Sequence, residues 1–422
     1  MSRVVVVSAL PPDAHGTGKA VMWGGLWRHV VRRSGPRATT YVYIGPERVD
    51  ATDGDYSVRS IRSPRAWEQA WSVARLSLLR DRPFQEAALS SARLRQALHH
   101  EIALAQPTTV LVDTYRIAAL LRGGRSYRLV MYMDDLFSVR YARMRTALRE
   151  RPTIPLDPLG NFAALLPRPA RALVARPRVR DWLLASEERR VRKTEVEAVT
   201  VCDRVLLISP DEAAMLRSLT GADHERVATV PPLVTVGTPR PRTPDPSRPR
   251  FVFLGAMNVP HNDVGLTTFL SEAFPSLLEG CPGATLDVIG QGVSERLRAA
   301  GTQFGDRVRY LGYVSDLEAT LASATAMLVP LVFGSGVKIK VIEALGRGVP
   351  VVATSFGAEG VARDIERDDG MRVADDWHVF VAAAEALCDP GANDRASRAA
   401  RRHYEQHYAP DVVHARYEAV VR

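Results

Sequence analysis

Residues 326–355, AMLVPLVFGSGVKIKVIEALGRGVPVVATS, carry the densest chemical signal in this chain. An apolar run reads as a strand, and Gly334 and Gly336 stand where it gives way to a helix over 337–346. Glycines there let the backbone turn tightly and approach a ligand while the first helical N–H groups point outward. That is an anion-binding geometry. Lys338 falls in the first helical turn, where the helix dipole disfavours a cation unless an anion is bound. Lys340 and Glu343 are three apart and read as an intrahelical pair. Glu343 stands about one and a half turns into the helix, roughly 9 Å from its start. A nucleotide's ribose would lie there if its phosphates sat at the helix N-terminus. Gly16-Thr17-Gly18-Lys19 stands between a candidate strand and a candidate helix, a strand-to-helix turn with a surface lysine. Asp134 and Asp135 follow another candidate strand, where they read as a hydrated loop capping the next helix.

Several other patterns fail on inspection. Gly18-Lys19 is followed by Ala20 where a P-loop needs Ser or Thr, and Asp13 stands in place of its first glycine. Gly290-x-Gly292 has Glu295 at the third glycine position of a dinucleotide fingerprint. His403 and His407 share a helical face, but Tyr404 occupies the place of the zinc-protease glutamate and no third ligand is evident. No metal site is expected.

The elements that would position these residues alternate. Strands are expected at 3–10, 39–45, 108–114, 127–133 and 204–209, with helices between them, including 66–79 and 85–105. Ser209-Pro210-Asp211-Glu212 and Ser315-x-x-Glu318 read as capping boxes. Val230–Arg250, dense in Pro and Arg, reads as a linker. Beyond it strands 251–256, 284–290, 307–314, 326–332 and 350–355 alternate with helices at 263–279, 294–300, 315–323 and 337–346. Such alternation implies α/β architecture: two Rossmann-like, doubly wound parallel-sheet domains. Ligands then bind beyond the carboxyl ends of the strands, and the expected site is a cleft between the domains.

Composition sets the remaining bounds. The 422 residues are enough for two to three domains, and 46% hydrophobic content suffices for full cores. No apolar stretch approaches the roughly 20 residues of a spanning helix, and no signal-peptide pattern opens the chain. Three widely spaced cysteines fit a reducing compartment, so a cytoplasmic protein is expected. Net charge is +9, split as +14 over residues 1–200 and −5 over the rest. Residues 140–193 hold 14 basic and 5 acidic side chains, read either as a solvated helix face or as a peripheral anchor on anionic membrane. Trp23/Trp27 and Trp67/Trp71, each four apart, would serve core packing or that anchor. No motif supports nucleic-acid binding.

GSGVKIKVIEALGRGVPVVAT resembles the donor-binding signature of the retaining GT-B glycosyltransferases of glycosyltransferase family 4, the group 1 glycosyl transferases. FLGAMNVPHNDVGLTTFL, LDVIGQG and VRYLGYVSDLEATLASATAMLVPL extend the resemblance in the family's order, and MYMDDLFSVRY resembles its front half. The resemblance implies a GT-B fold and a nucleotide-sugar donor, UDP- or GDP-linked, with no tightly bound cofactor. It places Gly334, Ser335, Gly336, Val337 and Lys338 at the donor, with Gly255, Asn258, Tyr313 and Val314, and gives Glu343 the ribose. Ser335 stands where many members have a first glutamate, and Met257-Asn258 where many have a phosphate-gripping Arg. Lys338 is therefore the expected diphosphate ligand, with Asp135 as a second catalytic candidate. Gly16, Thr17, Gly18 and Lys19 resemble the loop that meets acceptor and donor phosphates.

The expected activity is transfer of a sugar to a hydroxyl acceptor with retention of configuration, in glycan, glycolipid or natural-product synthesis. A catalytically weak nucleotide-sugar-binding scaffold and a GT-B epimerase are the alternatives. The expected domains are 1–235 for the acceptor, 251–402 for the donor, a linker at 236–250, and a helix over 403–422 returning to the first domain.

Overall fold

The computed structural model describes residues 3–14, 18–49, 56–151, 173–174, 176–238, 240–361 and 370–421. The chain divides into two compact units: Met1–Thr146 with Asp157–Leu233 and His414–Arg422, and Ala147–Leu156 with Val234–Val413.

The first unit is built on strands β1 (Val4–Ser8), β2 (Thr39–Gly45), β3 (Ser57–Arg62), β4 (Thr109–Asp113), β5 (Arg128–Met133), β6 (Arg204–Leu207) and β7 (Val227–Thr229). They pair in parallel in the order β3-β2-β1-β4-β5-β6-β7. Val4, Val5, Val6 and Val7 are all buried, as a strand covered on both faces requires. Helices α1 (Gly18–Ser34), α2 (Ala66–Leu79), α3 (Phe84–Leu89), α4 (Ala92–Ala105), α5 (Tyr115–Ala118), α6 (Phe137–Glu150), α7 (Pro177–Val201) and α8 (Pro210–Thr220) make the crossovers. The single helix expected over 85–105 is two, because the first segment ends at Ser90 and Ser91 caps the next through its hydroxyl, which accepts from the Leu94 N–H at 3.0 Å. Ser209 caps α8 as its sequence predicts, accepting from the Glu212 N–H.

The second unit repeats the plan with β8 (Arg250–Leu254), β9 (Thr285–Ile289), β10 (Val308–Gly312), β11 (Ala326–Val329), β12 (Val351–Ala353) and β13 (Met371–Val373). These pair in parallel as β10-β9-β8-β11-β12-β13. Its helices are α9 (Pro260–Glu272), α10 (Phe274–Gly280), α11 (Glu295–Thr302), α12 (Leu317–Ala322), α13 (Ile339–Gly346), α14 (Ser355–Ala358), α15 (Trp377–Glu385) and α16 (Pro390–His407). The cap of α12 is Asp316, which accepts from the Ala319 N–H at 2.9 Å, and not the expected Ser315: a carboxylate one residue nearer the helix takes the role. In both sheets the strand order reverses beside the first strand, between β1 and β4 and between β8 and β11. A doubly wound sheet binds ligands at that switch point.

Short β3, β7 and β13 escaped the sequence reading. In β3 burial merely alternates, so it lacks the continuous apolar run that marks the inner strands. The expected linker belongs to the second unit: Arg242 is half-buried and donates to the carbonyls of Gly348 and Ala324 and to Asn393 Oδ1. The expected boundary at 403 falls inside α16, in the second unit; the residues that rejoin the first are 414–422, in helix α17 (Pro410–Val421). There Tyr417 donates its hydroxyl hydrogen to the Pro231 carbonyl and accepts from the Leu233 N–H.

Trp23 and Trp27 are core residues, whereas Trp67 and Trp71 are exposed. In the described part of the basic segment, arginines are paired: Arg140 with Asp135, Arg145 with Asp181 and Glu188, Arg190 with Asp81 and Glu187, Arg192 with Glu188. Residues 152–172 and 175 of that segment lie outside the described residues. No helix among the described residues is long and apolar enough to cross a membrane.

Candidate functional site

In the second unit, the carboxyl ends of β8, β9 and β10 are tied together by their backbones. Gly255 N–H donates to Ile289 O at 2.9 Å and Gly290 N–H to Gly312 O at 2.8 Å. A Cβ at Gly290 would lie 2.0 Å from the Gly255 carbonyl oxygen, so glycine is what permits this approach.

Beyond β11 the chain runs through Gly334 and Gly336 into α13. Gly336 has φ +77°, in the left-handed region that glycine enters without a Cβ penalty. Lys338 is the N-cap residue, one position before the helix, and only 5% of it is exposed. Its ammonium donates to the carbonyls of Ser335 at 3.1 Å and Gly336 at 2.7 Å and lies 3.7 Å from a Glu359 carboxylate oxygen. The lysine thus holds its own loop closed. Val337 is buried beside Gly360, and Ser335 is half-buried.

Lys340 does not form the expected pair with Glu343. Its Nζ donates to Asn262 Oδ1 at 2.7 Å and sits 4.2 Å from the centre of the Phe253 ring. A Cβ at Gly255 would meet that ammonium at 2.8 Å. A lysine of α13 therefore delivers positive charge to the end of β8, where the neutral Met257-Asn258 stretch supplies none. Burial pulls its pKa down to about 7, helped by the neighbouring Lys338 charge. Asn262 is held in turn, its amide donating to the Ala256 carbonyl at 2.9 Å. The His261 ring lies 3.7 Å from where a Gly334 side chain would begin. Neither Asn262 nor His261 was singled out in the sequence, because 78 residues separate Asn262 from Lys340 and no local spacing reports it.

Glu343 is half-buried one turn into α13, and burial raises its carboxyl pKa against the opposing charge of Arg347. Arg347 is itself committed to Glu318, at 3.0 and 2.8 Å. Among the described residues no hydrogen-bond donor meets the Glu343 carboxylate, so it can still accept hydroxyl hydrogens. Tyr313 is 79% exposed just past β10; Val314 is half-buried and Asn258 exposed.

In the first unit, Lys19 from the first turn of α1 has its Nζ 3.1 Å from Asp113 and 3.7 Å from Asp134. Ser8, at the end of β1, donates to the other Asp113 oxygen at 2.9 Å. Asp113 ends β4 and was not singled out; a carboxylate closing an apolar strand is its only signal. Asp135, the expected catalytic residue, turns the other way. One oxygen of its carboxylate, Oδ2, accepts from both Arg140 Nε and Nη2, at 2.9 and 2.7 Å, which ties it to α6. A cavity of about 250 Å³ opens beside Lys19 and Asp113, lined also by Leu10, Gln69, Gln85 and Arg116. Gly18 is exposed at the start of α1; Gly16 and Thr17 lie outside the described residues. No group of three or more His, Cys, Asp or Glu among the described residues is arranged to hold a metal.

Comparison with known proteins fits this geometry. Residues 248–389 match the family model for Glycosyl transferases group 1. Over 135 residues the chain is 30% identical to an uncharacterized 44.6 kDa protein of the cps region of Klebsiella pneumoniae, covering 31% of this chain and 34% of that one. Over 118 residues it is 31% identical to the phosphatidyl-myo-inositol mannosyltransferase of Mycobacterium leprae, covering 27% and 31%. The matched stretch thus spans about a third of the length of each relative. Sucrose-phosphate synthase of Thermosynechococcus elongatus superposes with a TM-score of 0.67 at 14% identity, covering 100% of this chain and 98% of that one. HepE of Anabaena, in complex with UDP and glucose, gives 0.59 at 11%, covering 100% and 99%. The fold is GT-B, two Rossmann-like domains in one chain.

Proposed function

We propose that this chain is a glycosyltransferase that moves a sugar from a nucleotide-sugar donor to a hydroxyl acceptor with retention of configuration. The observation that carries the reading is the constellation of Gly334, Gly336, Lys338, Lys340 and Glu343 around the start of α13, within the stretch that matches the group 1 family. The UDP in the structurally similar HepE supports a nucleotide-linked donor, with UDP as the first candidate over GDP.

On this reading the diphosphate lies at the N-terminus of α13, where backbone dipoles favour negative charge. Lys340 reaches the same place from within the helix, and Lys338 holds the loop that covers it. The Glu343 carboxylate accepts the ribose hydroxyls, and the exposed Tyr313 with Val314 borders the base. Transfer breaks the bond between the sugar's anomeric carbon and the diphosphate oxygen. The acceptor oxygen bonds to that carbon on the same face, and its proton passes to the departing diphosphate oxygen. Negative charge grows on the leaving group, so fixed positive charge beside it lowers the barrier.

Acceptor-side roles fall to the first unit. Asp134, held toward Lys19, takes the role expected of Asp135, and Asp113 fixes the Lys19 ammonium. The test is turnover of UDP- and GDP-sugars: release of nucleoside diphosphate with a new glycoside of unchanged anomeric configuration supports the reading. Nucleotide binding without any sugar release would favour a binding scaffold.

A further inference from the structure

Two of the three cysteines, 107 positions apart in the chain, meet in the second unit. Cys281 Sγ and Cys388 Sγ stand 3.2 Å apart as free thiols, and a disulfide bond is about 2.0 Å long. Cys281 follows α10 and is buried, while Cys388 ends the short 3-10 turn Ala386–Cys388 between α15 and α16 and is half-buried. Both backbones are fixed where they stand. The Cys281 N–H donates to the Leu277 carbonyl at 2.8 Å, and the Cys281 carbonyl accepts from the Ala284 N–H at 2.9 Å. The turn ending at Cys388 is held by Asn393, whose amide donates to the Leu387 carbonyl at 2.9 Å, and by Asp389, which caps α16 through the Ala392 N–H. One residue before Cys281, a Cβ on Gly280 would run into the Glu385 carboxylate, so the two segments abut closely beside the thiols as well.

Cys388 also lines a cavity of about 170 Å³ bordered by Arg242, Pro246 and Asn393, which gives a small reagent a path to its sulfur. Burial, then the contact with Cys281 and the nearby Glu385 charge, push the Cys388 thiol pKa up. In a reducing medium the pair therefore rests as two thiols, and an exchange partner is needed to oxidise it. Cys202, the third cysteine, is buried in the first unit and takes no part in the pair.

We propose that Cys281 and Cys388 are a modification site, a dithiol that a low-molecular-weight disulfide converts reversibly into a Cys281–Cys388 bridge. The Cys388 sulfur gives up its proton and bonds to one sulfur of the oxidant, whose S–S bond breaks and releases a small thiol carrying that proton. The Cys281 sulfur then bonds to the Cys388 sulfur, the mixed disulfide breaks, and a second small thiol leaves with the Cys281 proton. The protein loses two electrons and two protons, and the oxidant gains both. The new bond closes a loop spanning 107 positions that contains β9 to β13 and the whole segment from Gly334 to Glu343. Closing so long a loop restricts the unfolded chain, so the bridged form keeps that segment folded under conditions that open the dithiol form. Resting on the transferase reading, this makes the oxidation state of one thiol pair a control on how firmly the donor-binding segment is held.

The full-length protein is incubated with bis(2-hydroxyethyl) disulfide under mildly alkaline conditions, the reagent is removed, and thiols are counted after unfolding in guanidinium chloride. The reduced protein has three titratable thiols and the oxidised protein should have one, with peptide mapping placing the bridge between Cys281 and Cys388. Oxidation should raise the Tm of wild type by at least about 5 °C, and dithiothreitol should reverse the rise. Cys281→Ser, which lacks the second thiol, should stop at the mixed disulfide on Cys388 without that rise, and Cys281→Ala takes its place if the serine variant does not fold. Three thiols remaining in oxidised wild type, a bridge that includes Cys202, or a bridge between two copies of the chain overturns the proposal. So does a Cys281–Cys388 bridge that leaves Tm unchanged. Both readings are made without nucleotide or sugar, so their failure leaves sugar transfer standing, and absent transfer leaves the bridge intact.

Discussion

Lys340 and Asn262 meet at 2.7 Å, joining the helix that follows β11 to the helix that follows β8. This contact sets a lysine ammonium at the carboxyl end of β8. Removing it by Lys340→Met should lower affinity for UDP or GDP at least tenfold while the far-ultraviolet spectrum is unchanged. Titration calorimetry of wild type and variant is the check, and equal affinities would remove Lys340 from the site.

The same lysine predicts a pH dependence. With its pKa pulled down to about 7, Lys340 is half-neutral at physiological pH, and a diphosphate binds its charged form. Nucleotide affinity should therefore fall about tenfold from pH 6.5 to pH 8, with proton uptake on binding. For stability of the free protein the sign is reversed. The unfolded chain keeps this proton up to the ordinary lysine range, so this group makes the fold gain stability as pH rises from 7 to 10. Binding profiles in buffers of different ionisation heat would show both effects, and a flat profile in Lys340→Met would assign them.

Asp134 and Asp135 should separate cleanly. Asp134→Asn alters the charge beside Lys19 and is expected to lower transfer about a hundredfold, with nucleotide affinity unchanged. Asp135→Asn weakens the charged tie to Arg140 and should cost about 1–3 kcal/mol of stability with a smaller loss of kcat. Denaturant titration beside single-turnover rates distinguishes them; a larger kinetic loss in Asp135→Asn would restore the expectation that Asp135 is catalytic.

The alternation of strands and helices made both sheets legible, because apolar runs such as VVVV and AMLV mark strands buried on two faces. The strands that escaped notice lie toward the sheet edges, where the apolar signal is short or alternating. Within the candidate site, the glycines, Lys338 and Glu343 were visible because they sit in one contiguous segment. Their local roles were not: spacing of three suggested Lys340 with Glu343, whereas tertiary packing gives Lys340 to Asn262 and Phe253. Asp113 was invisible for the same reason, since its partner Lys19 comes from a different crossover.

The C-terminal return should be acid-sensitive. His29 on α1 is buried, its ring stacked on His414 at 5.1 Å and edge-on to Tyr417, and burial lowers its pKa to about 4. The unfolded chain takes up this proton near pH 6.5, so the contribution is full above that value and is lost as pH falls toward 4. A loss of roughly 2 kcal/mol between pH 7.5 and pH 5 is expected from this group. His29→Phe should flatten that part of the profile in chemical unfolding, and an unchanged slope would assign the acid sensitivity elsewhere.

The central claim is that the segment from Gly334 to Glu343 binds the nucleotide of a sugar donor. A thermal-unfolding screen of wild type and Glu343→Ala against UDP, GDP and their common sugar conjugates tests it most directly. A ligand at 100 times its Kd stabilises the native state by about 2.7 kcal/mol, enough to raise Tm by several degrees. The account predicts such a rise with one nucleotide family in wild type and a reduced or absent rise in Glu343→Ala. No rise with any of them, or an equal rise in the variant, would contradict it.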